Sequence, residues 1–120
     1  MAKKPAYDLI VQALGGIMSL TGYENQAPVR VGSSIGDITA GLFTVIGIQA
    51  ALFNRTISKK GSYIDISMLD CQIAILENAI SRFYSEKKIP KKLGSRHPSI
   101  SPFEAYKCKD NYIVVAAGND

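Results

Sequence analysis

The sequence predicts an α/β protein, α+β within this stretch, in which two to three helices gather around a central apolar helix and a connector leads to short strands of a small domain. Three observations carry that expectation. A nearly unbroken apolar segment runs from Ile38 to Phe53. Apolar residues recur at helical spacing at Ile73, Leu76, Ile80 and Phe83, and two short β-prone runs, Glu104–Lys107 and Tyr112–Ala116, close the chain.

Residues 8–20 suit a first helix with Asp8 as its start signal. Gly15-Gly16 weakens it and marks a backbone expected to pack closely on a neighbour, and Gly22 stops it. Residues 23–33, with Asn25, Pro28 and Gly32, read as a loop that delivers Asp37 to a second helix over about residues 37–55. That helix is apolar almost all round and carries Gly41 and Gly47, so a central, buried position is expected, with Arg55 suiting its negative pole. Gly61 to Ser67 reads as a short strand, and Ser67 or Asp70 begins a third helix running to about Glu86. Its apolar face is expected in the core. Residues 87–101 form a connector rich in Lys and Pro, and the two closing strands join through the turn Lys109-Asp110-Asn111. Three regions follow: 1–86 bearing the candidate catalytic residue, a basic linker 87–101, and the start of a small domain at 102–120.

At 120 residues and 47% apolar content the chain has the size and composition of one ordinary domain, which argues against disorder. The net charge of +4 permits an anionic ligand, but basic and acidic residues are interleaved outside the linker. Cys71 and Cys108 lack metal-ligand spacing, so they read as reduced thiols of a cytoplasmic protein without a metal site. Lys3-Lys4 ahead of an apolar run resembles a secretory leader, but Pro5, Asp8 and Gln12 interrupt the pattern. Thr39, Thr44 and Gln49 leave the segment from Ile38 to Phe53 short of the roughly 18 to 20 apolar residues that span a bilayer, so no membrane is expected.

Asp37 is the candidate for chemistry. In Gly32-Ser33-Ser34-Ile35-Gly36-Asp37 it places a carboxylate where a loop enters a helix, close to unpaired N–H groups and the positive end of the helix dipole. A carboxylate kept ionised can act as a nucleophile. Residue type alone leaves a second role open, because Ser33 or Ser34 followed by Asp37 resembles a capping box.

The chain resembles the class III CoA-transferases, the group of formyl-CoA transferase, carnitine CoA-transferase and the bile-acid-inducible CoA-transferases. The resemblance rests on Tyr7-Asp8-Leu9-Ile10-Val11-Gln12-Ala13, Gly15-Gly16-Ile17-Met18, Thr21-Gly22, Pro28, Gly36-Asp37 with Gly41, and Ala50-Ala51-Leu52 with Arg55. Gly61 to Asp70, Pro102-Phe103 and Asp110-Asn111-Tyr112-Ile113 extend it over nearly the whole chain. It implies that Asp37 attacks an acyl-CoA thioester, passes through a mixed anhydride and carries an aspartyl-CoA thioester to an acceptor acid. It further implies that Tyr7 and Asp8 line the CoA, that Met68 stands beside it, that CoA and acyl-CoA enter as substrates rather than as a bound cofactor, and that two copies form an interlocked homodimer.

Departures from the family are equally informative. The related methylacyl-CoA racemases carry Gly-His-Asp where this chain has Ala6-Tyr7-Asp8, and a tyrosine of ordinary pKa about 10 is a poor proton acceptor near neutrality. Transferase is therefore favoured over racemase. The family's preceding nucleotide-binding region and its following glycine-rich loop are not in this stretch, so the chain is expected to be a fragment, inactive alone. Ser58-Lys59-Lys60 also departs from the family's usual turn. His97, between Arg96 and Pro98, is expected to be solvated or structural. An alternative of another class is a non-catalytic module binding nucleic acid or another anion through Lys87 to His97, although that run lacks interleaved aromatics.

Overall fold

The computed structural model describes residues 5–119. Its elements, in chain order, are α1 (Asp8–Leu14), α2 (Ile17–Leu20), α3 (Ile35–Ser58), α4 (Met68–Ala74), α5 (Asn78–Glu86), β1 (Phe103–Lys107) and β2 (Tyr112–Ala116). The α+β expectation holds: helices come first and a two-stranded antiparallel sheet closes the chain.

The single helix expected over 8–20 is two helices. Gly15 donates its N–H to Val11 at 2.8 Å and ends α1, and Gly16 turns the chain at φ +90°, where residues with a Cβ are strained. The close approach expected at this pair is found at Gly15. A Cβ there would collide with the Gln72 side chain and stand 2.9 Å from the Val11 carbonyl oxygen. α1 is thereby pressed onto α4, and both Gln12 and Gln72 are fully buried between the helices.

α3 outruns both of its expected ends. It closes at Lys59, which takes φ +56° and donates its N–H to Arg55 at 3.0 Å. The expectation that α3 is buried on all sides is corrected, because only Gly36 and Thr39 are buried while Phe53 and Ile57 stand 71% and 72% exposed. Its 24 residues also make it long and apolar enough to cross a bilayer by length and composition, contrary to the shorter span read from sequence, a property that core helices of soluble proteins share. α1, α4 and the segment before α4 cover part of it. An apolar helix buries only the faces that some other element meets, and this chain supplies neighbours for part of α3.

The strand expected at 61–67 is also absent. Ile64 and Ile66 are half-buried, while Tyr63 and Asp65 between and before them are exposed, the two-residue alternation of a strand. Gly47 of α3 makes room for them: a Cβ there would stand 3.3 Å from Ile64 Cγ2. No partner strand lies beside this segment among the described residues, and without a ladder it is not a sheet.

Ser67 caps α4, its Oγ accepting the Asp70 N–H at 3.2 Å, as expected. The third helix then breaks. Glu77 takes φ +51°, ψ −118° immediately before α5, so the helical spacing of Ile73, Leu76, Ile80 and Phe83 spans two helices. These residues face a shared cleft, where Ile73 and Phe83 remain part-exposed instead of entering a closed core.

The connector folds back on the loop before α3. Gly94 donates its N–H to the Gly22 carbonyl at 2.9 Å, Lys91 pairs with Glu24 at 2.9 Å, and Lys92 Nζ donates to the carbonyls of Gln26 and Ala27 at 2.8 and 2.7 Å. His97 has a structural place: its Nδ1 lies 3.2 Å from the Ser99 N–H and 3.0 Å from that of Ile100, accepting from both. The hairpin pairs Phe103 with Ala116 through Lys107 with Tyr112, and Cys108 donates to Asn111 at 2.7 Å across the expected turn. Cys71 and Cys108 are both free thiols, and burial pushes the Cys71 thiol up from its ordinary pKa.

Candidate functional site

Asp37 stands in the first turn of α3, two residues past its first residue, and its side chain is exposed. The capping-box role is not observed. Ser34 occupies the N-cap without a side-chain hydrogen bond, and the Asp37 carboxylate has no hydrogen bond or ion pair among the described residues. The cap comes from α1 instead. Asp8 Oδ1 accepts the Gly36 N–H at 2.9 Å, placing a carboxylate at the positive end of α3. A Cβ on Gly36 would stand 3.1 Å from that oxygen and 3.4 Å from Val11 Cγ1, so glycine here permits the two helices to meet.

Asp8 is itself held. Gln12, one turn along α1, donates from Nε2 to Asp8 Oδ2 at 2.8 Å and to the Ser33 carbonyl at 3.3 Å, and its Oε1 accepts the Val31 N–H at 2.8 Å. One buried amide thus ties α1 to both sides of Gly32. Deeper in the turn, Thr39 Oγ1 donates to the Ile35 carbonyl at 2.8 Å. The loop that presents Asp37 is therefore fixed from α1 and from within α3, yet the Asp37 carboxylate has no bond among the described residues.

Of the residues expected at the site, Asp8 is brought to the start of Asp37's helix. Tyr7 precedes α1 with an extended backbone and a side chain 70% exposed, and Met68 is the half-buried first residue of α4, a helix that packs on both α1 and α3. Sequence reasoning missed Gln12. Its signal was available as a polar pair four residues apart, Asp8 and Gln12, on a helix whose neighbours at Val11 and Gly15 are packing positions.

The surroundings are open. A cleft of about 350 Å³, lined by Gly16, Leu20, Leu76, Phe83 and Ile89 among others, contains none of Asp37, Tyr7, Asp8 and Met68. No group of three or more His, Cys, Asp or Glu side chains able to hold a metal occurs among the described residues. In the basic linker, Lys91 and Lys92 are engaged by the loop they pack on, which leaves less of the run for an outside anion.

Residues 1–120 match the sequence model of CoA-transferase family III. The chain belongs to that family. It is 41% identical over 121 residues to the acetyl-CoA:oxalate CoA-transferase of Acetobacter aceti, covering all of this chain and 31% of that protein. It is 38% identical over 120 residues to the human succinyl-CoA:glutarate CoA-transferase, covering all of this chain and 27% of that one. Among solved structures, a CaiB/BaiF family protein from Brucella suis superposes with a TM-score of 0.87 at 39% identity over 99% of this chain and 32% of its own. The chain thus spans less than a third of the length of these relatives. The family membership agrees with the resemblance carried by Tyr7-Asp8, Gly36-Asp37 and Gly61 to Asp70.

Proposed function

We propose that this chain supplies the aspartate-bearing part of an acyl-CoA:carboxylate CoA-transferase, with Asp37 as the nucleophile. The observation that carries the proposal is the free Asp37 carboxylate in the first turn of a helix whose cap is taken by another carboxylate, Asp8. A carboxylate oxygen with no internal partner is available to attack.

In this reaction an Asp37 oxygen attacks the thioester carbonyl of acyl-CoA, the C–S bond breaks, and CoA leaves as thiolate from a mixed anhydride. The thiolate then attacks the Asp37 carbonyl, releasing the first carboxylate and forming an aspartyl-CoA thioester. An acceptor carboxylate repeats the two steps in reverse, leaving Asp37 as carboxylate and CoA on the acceptor. Covalent catalysis of this kind divides one difficult transfer into easier ones. The names of the relatives, which join acetyl-CoA to oxalate and succinyl-CoA to glutarate, support short acids as donor and acceptor.

Tyr7 and Met68 are proposed to line the bound CoA, Tyr7 through its exposed ring. The bare apolar flank of α3 and the open surroundings of Asp37 support a site completed by other parts of the enzyme and by a second copy in a homodimer, with this chain inactive alone, and the free thiols of Cys71 and Cys108 fit a cytoplasmic setting. The test is intact-mass analysis after incubation with acetyl-CoA or succinyl-CoA and hydroxylamine, on this chain and on a version extended at both ends, each beside Asp37→Ala. A hydroxamate at Asp37 in the extended form only is expected. No adduct in either form overturns the nucleophile, and an adduct in the short chain overturns its inactivity.

A further inference from the structure

We infer that Asp8 and Gln12 are a positioning pair that holds the backbone at Asp37 and keeps the Asp37 carboxylate from folding back as a helix cap; the inference rests on Asp37 being the nucleophile. Both oxygens of Asp8 are already committed, Oδ1 to the Gly36 N–H at 2.9 Å and Oδ2 to Gln12 Nε2 at 2.8 Å. Each oxygen thus has a partner within the fold, and a carboxylate is poorly matched to the phosphates of CoA.

The network has one consistent proton arrangement. Gln12 Oε1 must accept from Val31 N–H, so Nε2 must face Asp8 and the Ser33 carbonyl. Reversing the amide would set donor against donor at Val31 and acceptor against acceptor at Asp8. Gln12 is fully buried, so water cannot make good a lost partner, and each broken bond is costly.

Two carboxylates compete for the same helix end. Asp8 occupies the Gly36 N–H, and the Asp37 side chain, one residue further on, makes no bond among the described residues. Without Asp8 the positive end of α3 loses its carboxylate, and Asp37, the acidic residue of that first turn, is drawn toward it. A nucleophile turned inward to that end is displaced from its substrate, and misplacement on the order of 1 Å costs about 100-fold in rate.

The test uses the version extended at both ends, assayed for CoA transfer with separate kcat and KM for the acyl-CoA, and with the exchange rate of the Gly36 and Val31 amide hydrogens. Asp8→Asn keeps the size of the side chain but sets its NH₂ against that of Gln12. It is expected to lower kcat by about 10- to 100-fold, to leave KM within about twofold, and to speed exchange at Gly36. Asp8→Asn combined with Gln12→Glu restores a donor facing an acceptor at residue 8 and keeps an acceptor for Val31, at the loss of the longer bond to the Ser33 carbonyl, and it is expected to recover part of the lost kcat. A rise in KM at unchanged kcat would instead make Asp8 a CoA contact, and equal impairment of the single and double variants would show that the pair does not act together; either overturns the inference. Asp37→Ala separates the two proposals: transfer surviving in Asp37→Ala overturns the nucleophile, whereas loss of transfer there with unimpaired Asp8→Asn overturns only the positioning pair.

Discussion

Gly15 and Gln72 are in direct contact, the bare backbone of one against the side-chain stem of the other, and this contact sets how closely α1 approaches α4. Gly15 has φ −76°, which any residue adopts, so its requirement for glycine is one of space. Gly15→Ala would also crowd the Val11 carbonyl oxygen at 2.9 Å, which cannot swing aside as a side-chain tip can. Overpacking of this kind costs about 1–3 kcal/mol. Gly15→Ala is expected to lower the unfolding free energy by that amount, read from urea titrations, and an unchanged midpoint would show that the helices separate freely.

The other side of that contact makes the opposite prediction. Gln72 is fully buried and both its amide atoms lack a hydrogen-bond partner among the described residues. A buried unpaired polar group costs about 1–3 kcal/mol, and an apolar side chain of similar length removes that cost. Gln72→Met is therefore expected to leave stability unchanged or raise it. A clear loss of stability would reveal a partner for the amide.

Glu77 holds φ +51°, ψ −118° at the break between α4 and α5, a conformation that suits glycine. Such strain costs about 1–3 kcal/mol, against about 0.5–1 kcal/mol for the extra chain freedom of glycine when unfolded. Glu77→Gly is expected to stabilise the chain by about 1 kcal/mol in thermal unfolding. Glu77→Ala, which keeps the Cβ, is expected to bring no such gain.

The pair Glu24–Lys91 predicts how the connector responds to acid. The Lys91 hydrogen bond, then the Lys91 charge, holds the Glu24 carboxyl below its ordinary value of 4.5, while the same contact raises Lys91 above 10.5. A depressed carboxyl contributes stability above its unfolded value and loses it as pH falls through the lower folded value. The raised amine keeps its contribution below 10.5 and loses it as pH climbs beyond. Connector docking is thus expected to be level through neutral pH and to loosen in acid below 4.5, read from the Gly94 amide resonance. Both groups are solvent-exposed, so salt should weaken the effect, and Glu24→Gln should abolish it. An identical acid transition in Glu24→Gln would assign it to another group.

How far the fold could be read from sequence depended on the range of the forces involved. Local signals succeeded: Ser67 caps α4, the turn through Lys109-Asp110-Asn111 joins two strands, and Gly15-Gly16 marks a close approach. Ile64 and Ile66 alternate as a strand requires, but strand formation depends on a ladder partner, which local pattern cannot supply. The apolar residues around α3 announce burial without saying which element buries them. At the start of α3, the place of Asp37 where a loop enters the helix was legible, whereas the cap by Asp8 in place of Ser33 or Ser34 was not, because it spans 28 residues of sequence. A helix end can be capped from within or across the fold, and only packing decides.

The loop between α2 and α3 is fastened at two places. Lys92 grips the carbonyls of Gln26 and Ala27, and Gln12 grips the Val31 N–H, so only Pro28, Val29 and Arg30 lie between the two fastenings. So short a lever has little slack. A displacement of the connector at Lys92 would therefore be felt within a few residues of the backbone that Gln12 holds.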